Sequence, residues 1–443
     1  MTFATMALSP ALLQAISEKG YLSPTAIQAQ AIPAILTGAD VVATAQTGTG
    51  KTASFVLPLL QMLSNETTEG TRTRRPKRFR ALIISPTREL ALQIEDNIHQ
   101  YSRHLDIRAT AMVGGMTYQQ QKQKLIEGID ILVATPGRLL DMANQRALHF
   151  DEVKTLVLDE ADRMLDMGFI DDIHKILNKL PKQRQTLLFS ATLPKAIRKL
   201  ANSEIHNPIE ITIDPQKAAA PKIEQWLVAI DKHNKSALLS HLIKEQHWTQ
   251  ALIFIRTQHG AAKLVSQLEK RGIAAEAIHG GRSQASRSQI LADFKTGKIQ
   301  FLVATGVAAR GIDINELSRV VNYDLPDDTD DYIHRIGRTG RAGLKGEGIS
   351  LVSKDDFKRL CAIERRLNKI ITRKEIDGFS VTKGLPPSNL NFTLKSVQKS
   401  PYSASEENLA AKAAKKPTPI KASKEAPKSA ANVWAQWVDK NKG

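Results

Sequence analysis

The chain has 443 residues, enough for two to three domains with cores of their own, and its 62 lysines and arginines outnumber 45 aspartates and glutamates to leave a formal net charge of +17. That balance favours a polyanionic partner, and because aromatic residues make up only 5% of the chain, such binding should rest on backbone phosphates more than on stacked bases. The single cysteine, Cys361, excludes an intramolecular disulfide and argues against a zinc centre, so it is expected as a core or half-buried helix residue. No apolar run approaches a membrane span, and a charged-then-apolar leader is missing at the start, so a cytoplasmic location without membrane contact is expected.

In chain order, residues 3–37 alternate apolar and polar positions at helical spacing, broken at Gly20 and Pro24. Short apolar runs then recur at 41–43, 81–84, 131–133, 156–158 and 187–189, separated by amphipathic stretches. The rhythm restarts at 251–255, 275–278, 301–304, 320–322 and 349–352. Strands alternating with helices predict α/β domains with doubly wound parallel sheets. Residues 214–221 carry prolines and alanines and read as a linker, so the predicted boundaries are 1–213, 214–221, 222–375 and a basic low-complexity tail over 376–443. From Ser380 onward there are eleven lysines against four acids, a disordered composition in which Trp434 and Trp437 stand out as a docking element for a protein partner or as a merely sticky end. Residues 72–80 hold six basic side chains, read either as a solvated loop or as an extra nucleic-acid contact.

Chemistry concentrates at two of the runs. Leu156, Val157 and Leu158 lead directly into Asp159, Glu160 and Asp162, which places three carboxylates where a buried parallel strand leaves its sheet. Alone, those acids fit a solvated turn equally well. Ala45-Gln46-Thr47-Gly48-Thr49-Gly50-Lys51-Thr52 follows the run 41–43, and a glycine-rich loop ending in Gly-Lys-Thr cradles phosphates. Such a loop and a strand-end aspartate that helps to hold magnesium together mean nucleotide hydrolysis.

With a dozen short motifs in order from Phe3 to about Ile370, the chain resembles the DEAD-box ATP-dependent RNA helicases, and its flavour is similar to the bacterial RhlE-like branch. The resemblance implies two tandem RecA-like domains, ATP and Mg2+ as cofactors, and RNA as partner. Gly20-Tyr21 and Pro24-Thr25-Ala26-Ile27-Gln28 resemble the family's adenine-reading motif, with Gln28 as the base reader and Tyr21 as a stacking face. Gly48, Thr49 and Gly50 would bring N–H groups to the phosphates, with Lys51 on the β/γ-phosphates and the Thr52 hydroxyl on magnesium. Asp159 would hold magnesium, and Glu160 would orient and deprotonate the attacking water. Asp162 would link to Ser190-Ala191-Thr192, with His334 in the same relay between domains. Arg338 and Arg341 would act as arginine fingers, and Gly337 and Gly340 argue against a regular surface helix there. Asp313 resembles the ribose contact.

RNA contacts implied by the resemblance are Pro86, Thr87, Arg88, Gly115, Thr135 and Arg138 in the first domain. Those in the second are Thr257, Gln284, Arg287, Thr305 and Arg310. Hydroxyls, arginines and small residues suit phosphates and sugars, so sequence-independent clamping of single-stranded RNA and local unwinding of short duplexes are expected. The alternatives are an ATP-timed RNA scaffold and a DNA-directed relative. Gly306 departs from the family's usual Asp. It either weakens coupling between the ATP and RNA sites or serves a positive-φ turn.

Overall fold

Aliphatic runs too short for a helix are buried on both faces here, and parallel pairing results. The computed structural model describes residues 2–45, 48–68, 74–213, 223–306, 317–340, 346–382, 384–388 and 390. The expected linker, the tail from residue 391 on with Trp434 and Trp437, and the site residues Arg310, Asp313 and Arg341 lie outside the described residues.

The first lobe's strands are β1 (Val41–Thr44), β2 (Ala81–Ile84), β3 (Ala109–Met112), β4 (Ile131–Ala134), β5 (Thr155–Asp159), β6 (Gln185–Ser190) and β7 (Ile209–Thr212). The second lobe's are β8 (Ile223–Ala229), β9 (Ala251–Ile255), β10 (Ala275–Ile278), β11 (Phe301–Thr305), β12 (Arg319–Asn322), β13 (Gly346–Val352) and β14 (Thr372–Arg373). Each set forms a seven-stranded sheet, in the orders β3-β4-β2-β5-β6-β1-β7 and β10-β11-β9-β12-β13-β8-β14. Counting from each lobe's first strand, the two orders are the same, and the pairs are parallel. One topology occurs twice, as the predicted fold class requires.

The helices of the first lobe are α1 (Pro10–Glu18), α2 (Ala26–Leu36), α3 (Lys51–Thr68), α4 (Arg88–Tyr101), α5 (Tyr118–Ile126), α6 (Pro136–Asn144), α7 (Ala161–Asp166), α8 (Ile170–Leu177) and α9 (Lys195–Glu204). The second lobe contributes α10 (Lys235–Glu245), α11 (Gln258–Glu269), α12 (Gln284–Lys295), α13 (Thr329–Ile336) and α14 (Phe357–Leu367). They cover both sheet faces. In β2, Ala81 and Ile83 join one core while Leu82 and Ile84 join the core on the opposite side. In β9, Ile253 and Phe254 divide in the same way. No described helix is long and apolar enough to cross a membrane. Cys361 is buried on α14.

Four strands escaped the apolar-run reading. β3 reads Ala-Thr-Ala-Met, its threonine interrupting the run, and β7 is an edge strand exposed on most positions. β8 opens on polar residues, and β14 is two residues long. The described part of the basic stretch is strapped to the first lobe. Arg74 and Arg80 share the buried Asp130, Arg75 meets Glu152, and Arg78 meets Asp151. These four guanidiniums are engaged by the lobe's own carboxylates, so the extra nucleic-acid contact has no support from them.

The domain boundary expected at 375 falls short. Ile376 and Phe379 pack on the core beneath α10, and Leu385 packs with Leu360 and Ile363 of α14. Thr382 donates from its N–H and its hydroxyl to Asp231, and Arg373 donates to the carbonyls of Leu385 and Pro386. Scattered apolar residues in a polar stretch conceal this strap, because its partners come from the lobe. A chain ending at 375 should lose roughly 2–4 kcal/mol of second-lobe stability relative to one ending at 390, the scale of three partly buried apolar side chains. Trp226 and Trp248 are the tryptophans both chains keep, so fluorescence during urea unfolding reports this lobe, and coincident midpoints would contradict the boundary.

Candidate active site and nucleic-acid edge

Parallel strands end level. In the first sheet β5, β6 and β1 are neighbours, with Asp159 opposite Phe189 and Ser190 opposite Thr44. The loops carrying the acids, the Ser-Ala-Thr segment and the glycine-rich loop therefore open side by side at one carboxyl edge. Ala45 N–H donates to the Ser190 carbonyl (3.0 Å), continuing the β1–β6 ladder into the glycine-rich loop. Gly48 (φ 83°) and Gly50 (φ 92°) take left-handed conformations that only glycine adopts cheaply. Lys51, buried at the start of α3, donates to the Ala45 carbonyl at 2.8 Å, which holds its ammonium inside the loop. Gln46 and Thr47 lie outside the described residues.

Asp159 is buried at the end of β5, and its Oδ1 accepts the Glu160 N–H at 3.0 Å. Burial and then the neighbouring Glu160 push Asp159 up to about 7, against the pull of Lys51. This is a carboxylate short of positive charge. Together with the Thr52 hydroxyl it fits Mg2+, which binds through one or two protein oxygens plus phosphates and water. Glu160 caps α7 with φ 52° and ψ 52°, a left-handed conformation costing a non-glycine residue about 1–2 kcal/mol. Burial works to raise its pKa, but Arg163, Lys51 and Arg338 more than offset that, so it lies below the ordinary glutamate value.

Asp162 binds the Ser-Ala-Thr segment with one oxygen. Its Oδ2 accepts from Ala191 N (3.1 Å), Thr192 N (2.8 Å) and Thr192 Oγ1 (3.0 Å). The Asp162 N–H donates to Ser190 Oγ, which in turn donates to the Thr192 carbonyl. His334 on α13 faces this cluster from the second lobe. Burial, then the charge of Arg163, pushes it down to about 4, with Asp162 and Glu160 pulling up and Arg338 down, so the imidazole is neutral near pH 7. Arg338 follows α13, which ends at Ile336, and it is buried. Gly337 caps the helix and Gly340 has φ 70°, so no regular helix continues through this run.

At the expected adenine end, Gln28 and Thr25 form a reciprocal cap at the start of α2. Gln28 Oε1 accepts the Thr25 N–H (2.9 Å) and Nε2 donates to the Gly50 carbonyl (3.2 Å). One amide hydrogen and one lone pair remain, enough to donate to and accept from one edge of a base. Tyr21 is exposed beside it, its hydroxyl 3.3 Å from that of Tyr101.

The other half of the same sheet edge, β2-β4-β3, carries different chemistry. Thr87 precedes α4, Thr135 precedes α6, and helix N-termini attract anions. Thr87 Oγ1 accepts the Leu90 N–H and so caps α4. Arg138 binds the carbonyls of Val113 and Met116 and so braces Gly114 and Gly115. A side chain on either glycine would strike Arg88. The second sheet repeats the pattern, with Thr257 capping α11 after β9, Gln284 opening α12 after β10, and Thr305 ending β11. The lobes meet here. Gln284 Nε2 donates to Glu89 Oε1 (3.1 Å), and Arg287 Nη2 lies 2.9 Å from the same oxygen, all three residues buried. Gly306 does not sit in the left-handed region, so the positive-φ explanation fails. A Cβ there would lie 3.2 Å from Arg335 Nη2 and 3.5 Å from Asp331 Oδ2.

Sequence reasoning missed three residues of this site. Glu89 directly follows Arg88 in sequence, but its partner Gln284 lies 195 residues away and no local pattern links them. Arg163 was signalled only by its place three residues after Glu160 on a helix. Arg335 directly follows His334, with no local signal of its role; it bonds Asn322, Asp331 and the Asp324 carbonyl.

A family model described as DEAD/DEAH box helicase matches residues 25–200, and one described as helicase conserved C-terminal domain matches 234–343. Over 367 residues the chain is 42% identical to the ATP-dependent RNA helicase CshA of Listeria monocytogenes, covering 83% of this chain and 69% of that protein. Over 375 residues it is 40% identical to the DEAD-box ATP-dependent RNA helicase RhpA of Helicobacter pylori, covering 85% and 74%. Among solved structures, S. cerevisiae Dbp5 bound to RNA and ADP BeF3 is 32% identical with a TM-score of 0.75, covering 84% of this chain and 95% of that one. A DEAD box protein from Methanococcus jannaschii is 39% identical with a TM-score of 0.50, covering 85% and 99%.

Gly50 joins the base end to the phosphate end, because its carbonyl holds Gln28 while its positive φ shapes the loop. Gly50→Ala adds a Cβ that overlaps the Gln28 amide and strains the backbone. Affinity for a fluorescent adenine nucleotide should fall at least ~10-fold, the equivalent of about 1.4 kcal/mol. Unchanged affinity in a binding titration would contradict this geometry.

Proposed function

This chain belongs to the DEAD-box ATP-dependent RNA helicases, which hydrolyse ATP, and on that premise we propose that it clamps single-stranded RNA between its two lobes and pulls short duplexes apart locally. The observation that carries the reading is the division of one sheet edge. The nucleotide loops occupy β5-β6-β1, the anion-attracting loops occupy β2-β4-β3, and the second lobe presents its equivalent loops across Glu89.

In this reading Gln28 and Tyr21 take the adenine, and the N–H groups around Gly48, Thr49 and Gly50 take the phosphates with Lys51. Thr52 and Asp159 hold Mg2+, whose chemistry is to neutralise the phosphate oxygens on which charge develops. Glu160 takes the proton of the attacking water. Arg338 and Arg341 bring positive charge from the second lobe, and such arginines are typically worth ~10³–10⁵ in rate. Asp313 contacts the ribose. Asp162 holds Ser190 and Thr192 in one bonded unit and faces His334, which supports a relay from the nucleotide to the lobe interface. RNA lies along Pro86, Thr87, Arg88, Gly115, Thr135 and Arg138 of one lobe and Thr257, Gln284, Arg287, Thr305 and Arg310 of the other. Hydroxyl and guanidinium contacts of this kind favour sequence-independent recognition.

Closure brings the edges of the two sheets together, so ATP and RNA should each favour the binding of the other. The lysine-rich tail adds electrostatic affinity without specificity. Protein partners of the tail and work in the cytoplasm belong to the same proposal.

Replacing Glu160 by Gln separates binding from turnover. The variant should bind ATP and RNA, hydrolyse ATP at least ~10²-fold more slowly, and hold RNA longer, the rate scale being that of a lost general base. Steady-state ATPase at saturating RNA, with RNA dissociation followed by fluorescence, checks it. Near-normal turnover would remove Glu160 from its role.

A further inference from the structure

Arg163 belongs to neither the phosphate loop nor the arginine run, yet it is 3% exposed at the centre of the site. Its Nη1 lies 2.7 Å from Glu160 Oε2, across one turn of α7. Both atoms are enclosed, and neither makes a hydrogen bond, so the contact is an ion pair without a directed donor geometry. The Arg163 N–H donates to Asp162 Oδ1 (3.1 Å), while the other oxygen of that carboxylate holds the Ser-Ala-Thr segment. The guanidinium is thus anchored through its own backbone to the relay and through its side chain to Glu160.

Glu160 needs such an anchor. It sits in a left-handed backbone conformation between two other carboxylates, Asp159 and Asp162, and its side chain makes no capping hydrogen bond to α7. The other cations acting on it are Lys51 and Arg338. In the proposed reaction both are drawn to phosphates. Arg163 lies outside both the phosphate loop and the arginine run, so that reading leaves it paired with Glu160. It also acts on His334, so it stands where the second lobe arrives.

We propose that Arg163 is a positioning residue for ATP hydrolysis, which aims the Glu160 carboxylate at the attacking water through their buried ion pair. The proposal rests on the reading of Glu160 as the group that takes the water's proton. The competing account is that Arg163 is a structural cation that only holds the lobe together.

The test compares Arg163→Gln and Arg163→Lys with the wild-type full chain, alone and combined with Glu160→Gln. Single-turnover hydrolysis, ATP binding, RNA binding and thermal unfolding are followed in each. Arg163→Gln should lower the hydrolysis rate ~10–100-fold while ATP and RNA affinities stay within about threefold, since the loss is confined to positioning the base. Arg163→Lys keeps the charge and should recover most of the rate. In the Glu160→Gln background, Arg163→Gln should cost nothing further, because the group it aims is already disabled. An unchanged rate in Arg163→Gln, or an equal fold-loss with and without Glu160, overturns the proposal. Joint loss of binding and folding in both Arg163 variants assigns the residue to structure and overturns it too. If Glu160→Gln alone turns over normally, it is the underlying reading of Glu160 that fails.

Discussion

One carboxylate oxygen holds the catalytic half of this molecule in register. Asp162 Oδ2 accepts three donors from Ala191 and Thr192, which fixes the loop after β6 against the helix after β5. Because β6 also pairs with β1, the glycine-rich loop is tied to the same unit through Ala45 and Ser190. A charged acceptor with several N–H and O–H donors is strong in a buried setting and costly to leave half-satisfied. The acids, the relay and the phosphate loop therefore form one rigid group, with Glu160 held in its left-handed conformation inside it.

The half of the edge proposed for RNA is built differently. Its loops are braced by backbone contacts, as Arg138 braces Val113 and Met116, and Thr87, like Thr257 in the second lobe, spends a lone pair on a helix cap. The lobes meet at Glu89, buried with Arg287 and Gln284. Taking those charges out of water costs several kcal/mol per ion, and pairing offsets this only when the partner is present. Such a contact ties the two lobes through a single carboxylate. It also lies within the surface proposed for RNA, so the bound strand and the lobe interface share side chains.

What could be read from the sequence followed locality. Strands β1, β2, β4, β5 and β6 announced themselves as apolar runs ending in chemically distinctive turns, and a phosphate loop or an Asp-Glu-Ala-Asp turn is written in consecutive residues. β3, β7, β8 and β14 were not legible, because a strand interrupted by threonine or exposed on one face carries no run. The boundary near 375 misled for a similar reason, since Phe379 and Leu385 are isolated in sequence and apolar only in company. Long-range pairs were invisible altogether. Glu89 with Arg287, and Asp130 with Arg74 and Arg80, are meetings of residues whose separation no periodicity encodes. Gly306 shows a subtler limit. The departure from the family pattern was visible, but only the structure puts Arg335 and Asp331 opposite it and removes the turn explanation.

The proposed activity turns on one event, the joining of the two sheet edges by ATP and RNA together. Cys361 is the chain's only cysteine and is buried, so cysteines placed at the exposed Glu127 and Glu269 would carry a donor and acceptor dye on separate lobes. Single-molecule energy transfer should show a high-transfer population with a non-hydrolysable ATP analogue and single-stranded RNA present together, and little of it with either alone. Equal closure with one ligand, or the same distances in all four conditions, would contradict it.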